Sequence, residues 1–352
     1  MKVGFTHHDP SLSRIFIALL FFLAGTIGSA AQAEQRRLNP EPAKAQIVTS
    51  DIDNFWRAFD LARKEPERLK RIAIYQSEYI DKGSVGLKDF VRMRIKSAEN
   101  LSDTIDKLPA FYASVRPSTL RVGEMEKRMR SSFRKFKRVH PGALFPDVYF
   151  VIGVANTGGT ASENGLLIGT ELYGATDKTP RGEFVEMFKT FMPNVKDEAE
   201  IRRLAARFTD VALKPVEGIP AIVAHESCHF NQKYPALGSL LAKAVQEGAC
   251  DFIGEMISGS LMNPAQKIYG EAHEGELWRE FAAAMEGGAD ERNWMYNALT
   301  SKDRPPDLGY FIGYKISQSY HRNAKDKRSA VREILEIKDF ETFLRQSMYK
   351  PD

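Results

Sequence analysis

The chain has 352 residues, with 50 Lys and Arg against 46 Asp and Glu, seven histidines and two cysteines. A formal charge of +4 is too mild to imply a nucleic-acid partner, and two cysteines cannot staple a fold of this size, so a hydrophobic core has to hold it. The length suits two subdomains better than one.

The N-terminus reads as an export signal. Lys2 and Arg14 supply a basic region, Ile15 to Ala24 a short apolar core, and Ala31-Gln32-Ala33 a small-x-small cleavage site. The core is too short for a comfortable membrane span. Cleavage after Ala33 leaves 319 residues and removes two cations and one anion, so the net charge falls to +3. No later run approaches the roughly eighteen apolar residues of a membrane helix. The mature protein is therefore expected to be periplasmic or secreted, without a transmembrane anchor; its oligomeric state is not readable from the sequence.

Residues 34–48 are polar and contain prolines, which suggests a mobile linker. From there to residue 140 the periodicity is helical, with helices expected over 51–64, 66–81, 86–114 and 120–138. In the first, Ile52, Phe55, Phe59 and Ala62 mark one face. The last carries Lys127 to Arg138, a dense basic run in which Met125, Met129, Phe133 and Phe136 recur at helical spacing. That pattern suits a helix docked on the fold with a solvated basic face, or one resting on an anionic surface. Residues 141–352 form the second part of the expected division. Two β-rich runs, 148–154 and 165–173, flank a glycine-rich connection containing Gly158 and Gly159, and read as a small antiparallel sheet. Helices then return over about 195–208, 220–233, 236–258, 265–287, 291–299, 309–323 and 328–348. The expected fold class is α+β, predominantly helical.

The chemistry lies in His225-Glu226-Ser227-Cys228-His229, a complete H-E-x-x-H pattern. On a helix, residues i and i+4 share a face, so both imidazoles can reach one metal ion while Glu226 projects beside it, where it can take a proton from water. Pro220 suits the first turn of such a helix, and Pro235 stops it. Imidazole nitrogen binds zinc at about 2.0–2.1 Å, and a third ligand would leave one position open. The extension H-E-x-x-H-x-x-G-x-x-H is absent, because Gln232 and Pro235 stand where it needs glycine and histidine.

The following helical segment carries Glu247, Asp251 and Glu255, one turn apart. A Glu-x-x-x-Asp pair there resembles the gluzincins, the thermolysin-like and aminopeptidase-like enzymes. That resemblance implies Glu247 as third zinc ligand, with Glu255 as its rival, and Asp251 as the carboxylate that orients a ligating histidine. Gly248 would let the two helices approach closely. Blocks at 145–153, 158–162, 165–171, 225–229, 247–249 and 309–316 also fall in the order of a bacterial family of predicted zinc-dependent proteases related to gliding-motility lipoprotein B. The likeness says little about residues 34–140, and no cysteine stands at the cleavage site for a lipid anchor. The zincin-like fold so implied would lay the small sheet over the zinc helix, with Gly165, Leu166, Leu167, Ile168 and Gly169 as the edge strand that pairs with a peptide substrate.

The expected activity is zinc-dependent hydrolysis of a peptide or protein, with one Zn2+ per chain and Glu226 as general base. Tyr310 and Tyr314, one turn apart, are the candidates for stabilising the oxyanion, with His273 and His321 in competition. A non-catalytic zinc-stabilised binding protein, or a zinc hydrolase of another amide, remains an alternative. Cys228 and Cys250 lie within the same region; they could form a disulfide, or serve as small buried residues beside the metal.

Overall fold

The computed structural model describes residues 38–288 and 290–351; the export signal read at residues 1–33 lies outside them. The chain is predominantly helical with small sheets, an α+β arrangement. Its centre is a helix with no solvated side. Ile219–His229 (α9 in chain order) opens with Ile-Pro-Ala-Ile-Val-Ala, and every residue from Ile219 to Cys228 is buried. A helix that is apolar all round must be surrounded. Helix α9 packs against helix α10 (Leu240–Ser258), the basic helix α6 (Glu126–Val139) and the sheet.

Before it come α1 (Ser50–Ala62), α2 (Arg68–Tyr75), α3 (Val85–Phe90), α4 (Ala98–Lys107) and α5 (Pro109–Thr119); α7 (Glu183–Phe191) and α8 (Glu198–Ala212) lead into it. After α10 follow α11 (Pro264–Ala272), α12 (Glu274–Gly287), α13 (Leu308–Asn323), α14 (Lys327–Leu335) and α15 (Phe340–Ser347). Several expected long helices are thus broken. The 66–81 helix passes into a π-helical turn at Gln76–Ile80, and the 86–114 helix contains another at Val91–Ile95, closed by Lys96 at φ 73°. Pro109 begins α5, so a new helix starts there instead of continuing the old one. The segment at 291–299 keeps only a short 3-10 turn, Glu291–Asn293. In α6, Met129, Phe133 and Phe136 are buried, as the apolar spacing required.

The strands correct the expectation of an antiparallel sheet. Strands β2 (Ile47–Val48), β4 (Val148–Val151), β6 (Leu166–Gly169) and β5 (Thr160–Ala161) lie side by side in that order, and β1 (Leu38–Asn39) pairs separately with β3 (Phe145–Pro146). β4 runs parallel to β2 and β6, with Val148 opposite Leu166 and Val151 opposite Gly169; only β5 is antiparallel to its neighbour β6. The reason is burial on both faces. Helices α1 and α3 cover one side and α9 the other, so Val-Tyr-Phe-Val and Leu-Leu-Ile-Gly are buried at every position. Uninterrupted apolar runs of that kind belong to parallel strands.

Residues 38–48, expected to be linker, thus contribute two strands tied to the rest. Asp147 accepts hydrogen bonds from Gln46 N (2.7 Å) and Asn39 Nδ2 (3.1 Å). The helical N-terminal region also shares its core with the sheet. Tyr79 Oη donates to Ile152 O (2.7 Å) and accepts from Ile152 N (2.9 Å), while Tyr112 Oη donates to Gly153 O (2.7 Å). These bonds fix the end of β4, where the chain turns toward β5.

Gly248 has a different partner from the one expected. A Cβ there would lie 2.1 Å from Tyr314 N, and one at Gly313 would lie 1.8 Å from Ala244 O, so α10 and α13 touch backbone to backbone. It is Gly254 that faces α9, its Cβ direction 3.3 Å from His225 N. Gly313→Ala should force α13 off α10 and lower stability by about 1–3 kcal/mol, the usual cost of overpacking. Denaturant unfolding measures this, and an unchanged midpoint would show that the helix contact is not as close as the backbone places it.

Candidate metal centre

Helix α9 ends at His229, a turn earlier than the sequence suggested, and this early stop matters chemically. The chain folds back so that Gln232 N donates to His229 O (3.3 Å) and the Gln232 side chain returns over the His229 ring. His229 Nδ1 lies 2.8 Å from Gln232 Oε1, whose own Nε2 donates to Gln246 O (2.7 Å). His225 Nδ1 lies 2.8 Å from Asp251 Oδ1, and Asp251 Oδ2 accepts from Asn263 Nδ2 (2.8 Å). With each Nδ1 facing an acceptor, the proton of each neutral imidazole belongs on Nδ1. Both Nε2 atoms then present lone pairs.

Those lone pairs converge. The two Nε2 atoms are 3.1 Å apart, and Glu247 Oε2 lies 3.5 Å from His225 Nε2 and 3.3 Å from His229 Nε2. Three acceptors so close, with no donor between them, repel each other unless something positive sits in their midst. Ligand atoms at about 2.0–2.1 Å from one tetrahedral ion would be about 3.3 Å from each other. The three distances bracket that value. The buried His225, His229 and Glu247 cluster can therefore hold a metal ion.

Charge and burial agree. Neither oxygen of Glu247, nor of Glu226, has a hydrogen-bond partner among the described residues, although both side chains are buried. Burial alone would push Glu247 up, but His229 and His225 outweigh it and hold its carboxyl at about 2. Burial opposes charge on His225; the carboxylates of Asp251 and Glu247 more than offset this and raise it well above the usual histidine value. His229 is raised to about 9, where burial again opposes the charged form and Glu247 overcomes it. For Glu226, burial wins over the pull of the two histidines and raises the carboxyl to about 7.

Other sequence candidates fall elsewhere. Glu255 is no ligand: Lys267 Nζ donates to its Oε1 (3.0 Å) and Oε2 (2.9 Å), and Tyr314 Oη donates to Oε2 (2.6 Å). Tyr314 also accepts from Lys267 (3.0 Å), so its hydroxyl is committed to this network beside the centre. Tyr310 is buried near the ligands: burial first, then the charge of Glu247, raises its phenol. His273 faces Glu276 at 3.4 Å, and His321 packs on Phe252 with ring centres 5.4 Å apart. Cys228 and Cys250 are free thiols, not a disulfide; Cys250 Sγ lies 3.4 Å from His229 Nδ1.

The run from Gly165 to Gly169 is not an edge strand. β6 lies between β4 and β5, and Gly169 N also donates to Gly158 O (3.2 Å), so its backbone is already paired on both sides. The outer strands of this sheet are β2 and β5. A Cβ on Gly159 would lie 3.7 Å from Glu226 Oε1 and 3.7 Å from Ile222 Cγ1, which places this edge segment over the centre. Gln232, Asn263 and Gly159 were not foreseen as parts of the site. Gln232 had been noticed only as a departure from a longer histidine pattern, and Asn263 reaches Asp251 from the start of another helix, a relation no spacing encodes.

Comparison with protein-family models, with curated proteins and with solved structures finds no match.

His225→Ala with His229→Ala should abolish stoichiometric metal in elemental analysis. Asp251→Asn should weaken metal affinity about 10–100-fold without unfolding the protein, whereas Glu255→Ala should leave affinity unchanged. Because protons and metal compete for the same imidazole lone pairs, affinity should fall as the pH drops below about 9. Chelator competition at pH 6, 7 and 8 reads this directly, and a flat profile would contradict the shared use of Nε2.

Proposed function

We propose that the protein is an exported zinc-dependent peptidase, in which His225, His229 and Glu247 hold zinc and Glu226 is the general base. The observation carrying this reading is Glu226 itself. It is a buried carboxylate with neither oxygen engaged among the described residues, beside three converging ligand atoms and under an outer strand of a sheet. A metal site that served only to stabilise the fold would have no use for it.

Zinc bound there would supply a Lewis acid that acidifies water and polarises a carbonyl. Glu226, raised to about 7, is matched to accept a proton from the attacking water near neutral pH and pass it to the leaving amine nitrogen. The apolar wall of Ile222 and Ile168, against which Gly159 lies, limits water around that carboxylate. Asp251 and Gln232 keep each ligating ring in its Nδ1–H form. Tyr310 is the better oxyanion donor of the two tyrosines, since Tyr314 is held by Glu255 and Lys267. An extended peptide laid along β5 would run past Glu226. Gly159 suits that role, because any side chain there would point toward Glu226.

The reading carries with it a zincin-like fold and membership of the family of bacterial zinc-dependent proteases named above; the predominantly helical α+β arrangement supports it only at that coarser level. Among the described residues no helix is long and apolar enough to cross a membrane.

Glu226→Gln should keep zinc and fold while turnover of a peptide library falls about 10²–10⁴-fold, because the amide can hydrogen-bond water but cannot take its proton. Near-normal hydrolysis by the zinc-replete variant would rule out Glu226 as the base. If the zinc-loaded wild type cleaves no peptide, the peptidase reading fails.

A further inference from the structure

Among the described residues Arg94 is a guanidinium without a counter-charge. It sits in the π-helical turn Val91–Ile95, just before Lys96 at positive φ. Such turns cluster at functional sites. Its Nη2 donates to Thr160 Oγ1 on the edge strand (3.0 Å), and its backbone carbonyl accepts from Asn156 Nδ2 (3.2 Å). Its Nε is buried with no acceptor, and Asn156 Oδ1 is buried with no donor. The carboxylates of the same stretch and the neighbouring loop, Asp89 and Glu163, face Arg92 instead, at 3.2 and 3.7 Å. Burial lowers the Arg94 pKa, and no carboxylate among the described residues counters it. The half-buried guanidinium keeps a buried Nε–H without an acceptor, so this arrangement suits an anion that arrives with a ligand.

The register says where that anion would lie. Thr160 pairs with Leu167 on β6, whereas the neighbouring Gly159 faces Ile168, Ile222 and Glu226. Arg94 therefore meets the edge strand on the face turned away from α9. A peptide added along β5 would point alternate side chains to the two faces, one set toward the metal centre and the other toward Arg94.

We propose that Arg94 is a specificity-determining residue that receives a substrate carboxylate on the face of β5 turned away from Glu226. This rests on the peptidase reading and names the substrate class it implies: extended peptides with an acidic side chain or a free C-terminus.

The test uses zinc-loaded protein and peptide pairs that differ only by Asp or Glu against Asn or Gln, each with a free or an amidated C-terminus. Wild type should favour the carboxylate-bearing member about 10–100-fold in kcat/KM, the worth of a charge-assisted hydrogen bond. In Arg94→Met the ratio should collapse toward one, mainly through KM, while Arg94→Lys should keep part of it. If amidation alone removes the preference, the carboxylate is terminal; if the side-chain amide does, it is a side chain. A merely structural Arg94 would lower kcat on both members alike and leave the ratio unchanged, and that outcome overturns the proposal, as does a wild type without preference. Anisotropy with fluorescent versions of the same peptides on zinc-loaded Glu226→Gln protein, with and without Arg94→Met, separates the two readings. Arg94-dependent binding without cleavage by wild type would sink the peptidase and leave the carboxylate site standing. Neither binding nor cleavage would sink both.

Discussion

Two imidazole nitrogens and a carboxylate oxygen meet within 3.1–3.5 Å of each other, every one an acceptor, in a place that water does not reach freely. Left alone, such a cluster would fly apart or fill with protons. It persists because each member is gripped from behind: Asp251 holds one ring, Gln232 the other, and the backbone of α10 fixes Glu247. The rest of the fold can be understood as a frame that keeps these three side chains from relaxing away from their common centre.

That frame is rigid for a reason found in the packing. Burying two carboxylates so near each other carries a desolvation cost of several kcal/mol per ion, which only a positive centre and a tightly packed surround can offset. Helix α9 has no solvated face on which to pivot, and α10 is pinned to α13 where Gly248 and Gly313 let the backbones meet. The sheet closes the remaining side, its strands covered on both faces. The acidic groups beside the centre but outside it are neutralised separately. Glu255 has Lys267 and Tyr314, so it neither competes for a cation nor burdens the site with a further negative charge.

How much of this was legible in the sequence depended on whether a relation was local. His225, Glu226 and His229 belong to one helical turn, and a spacing of four is enough to align the rings. Glu247 and Asp251 are again one turn apart, so their order toward the metal and the histidine could be read from the resemblance to known zinc helices. The strands were recognised but paired wrongly, because a short glycine-rich connection suggested a hairpin and concealed β5 within it. The continuous apolar runs of β4 and β6 carried the contrary signal. Tyr314 was legible only as a candidate oxyanion donor one turn from Tyr310, and its commitment to Glu255 and Lys267 depends on a helix whose placement no periodicity reveals. Arg94 was silent for the same reason: its significance is the lack of a carboxylate beside it among the described residues, which only three dimensions can show.

The ligands themselves span a short stretch of chain, yet their supports come from its far ends. β2 at residues 47–48 joins β4 a hundred residues later, and α13, which seats α10, begins only at Leu308. A growing chain that has already made both histidines and Glu247 still lacks the helix against which α10 closes. The packing that seats Glu247 opposite the two histidines is therefore complete only once Leu308–Asn323 is part of the chain. A truncation that spares every ligand but removes this helix would take away the backbone contact that positions α10.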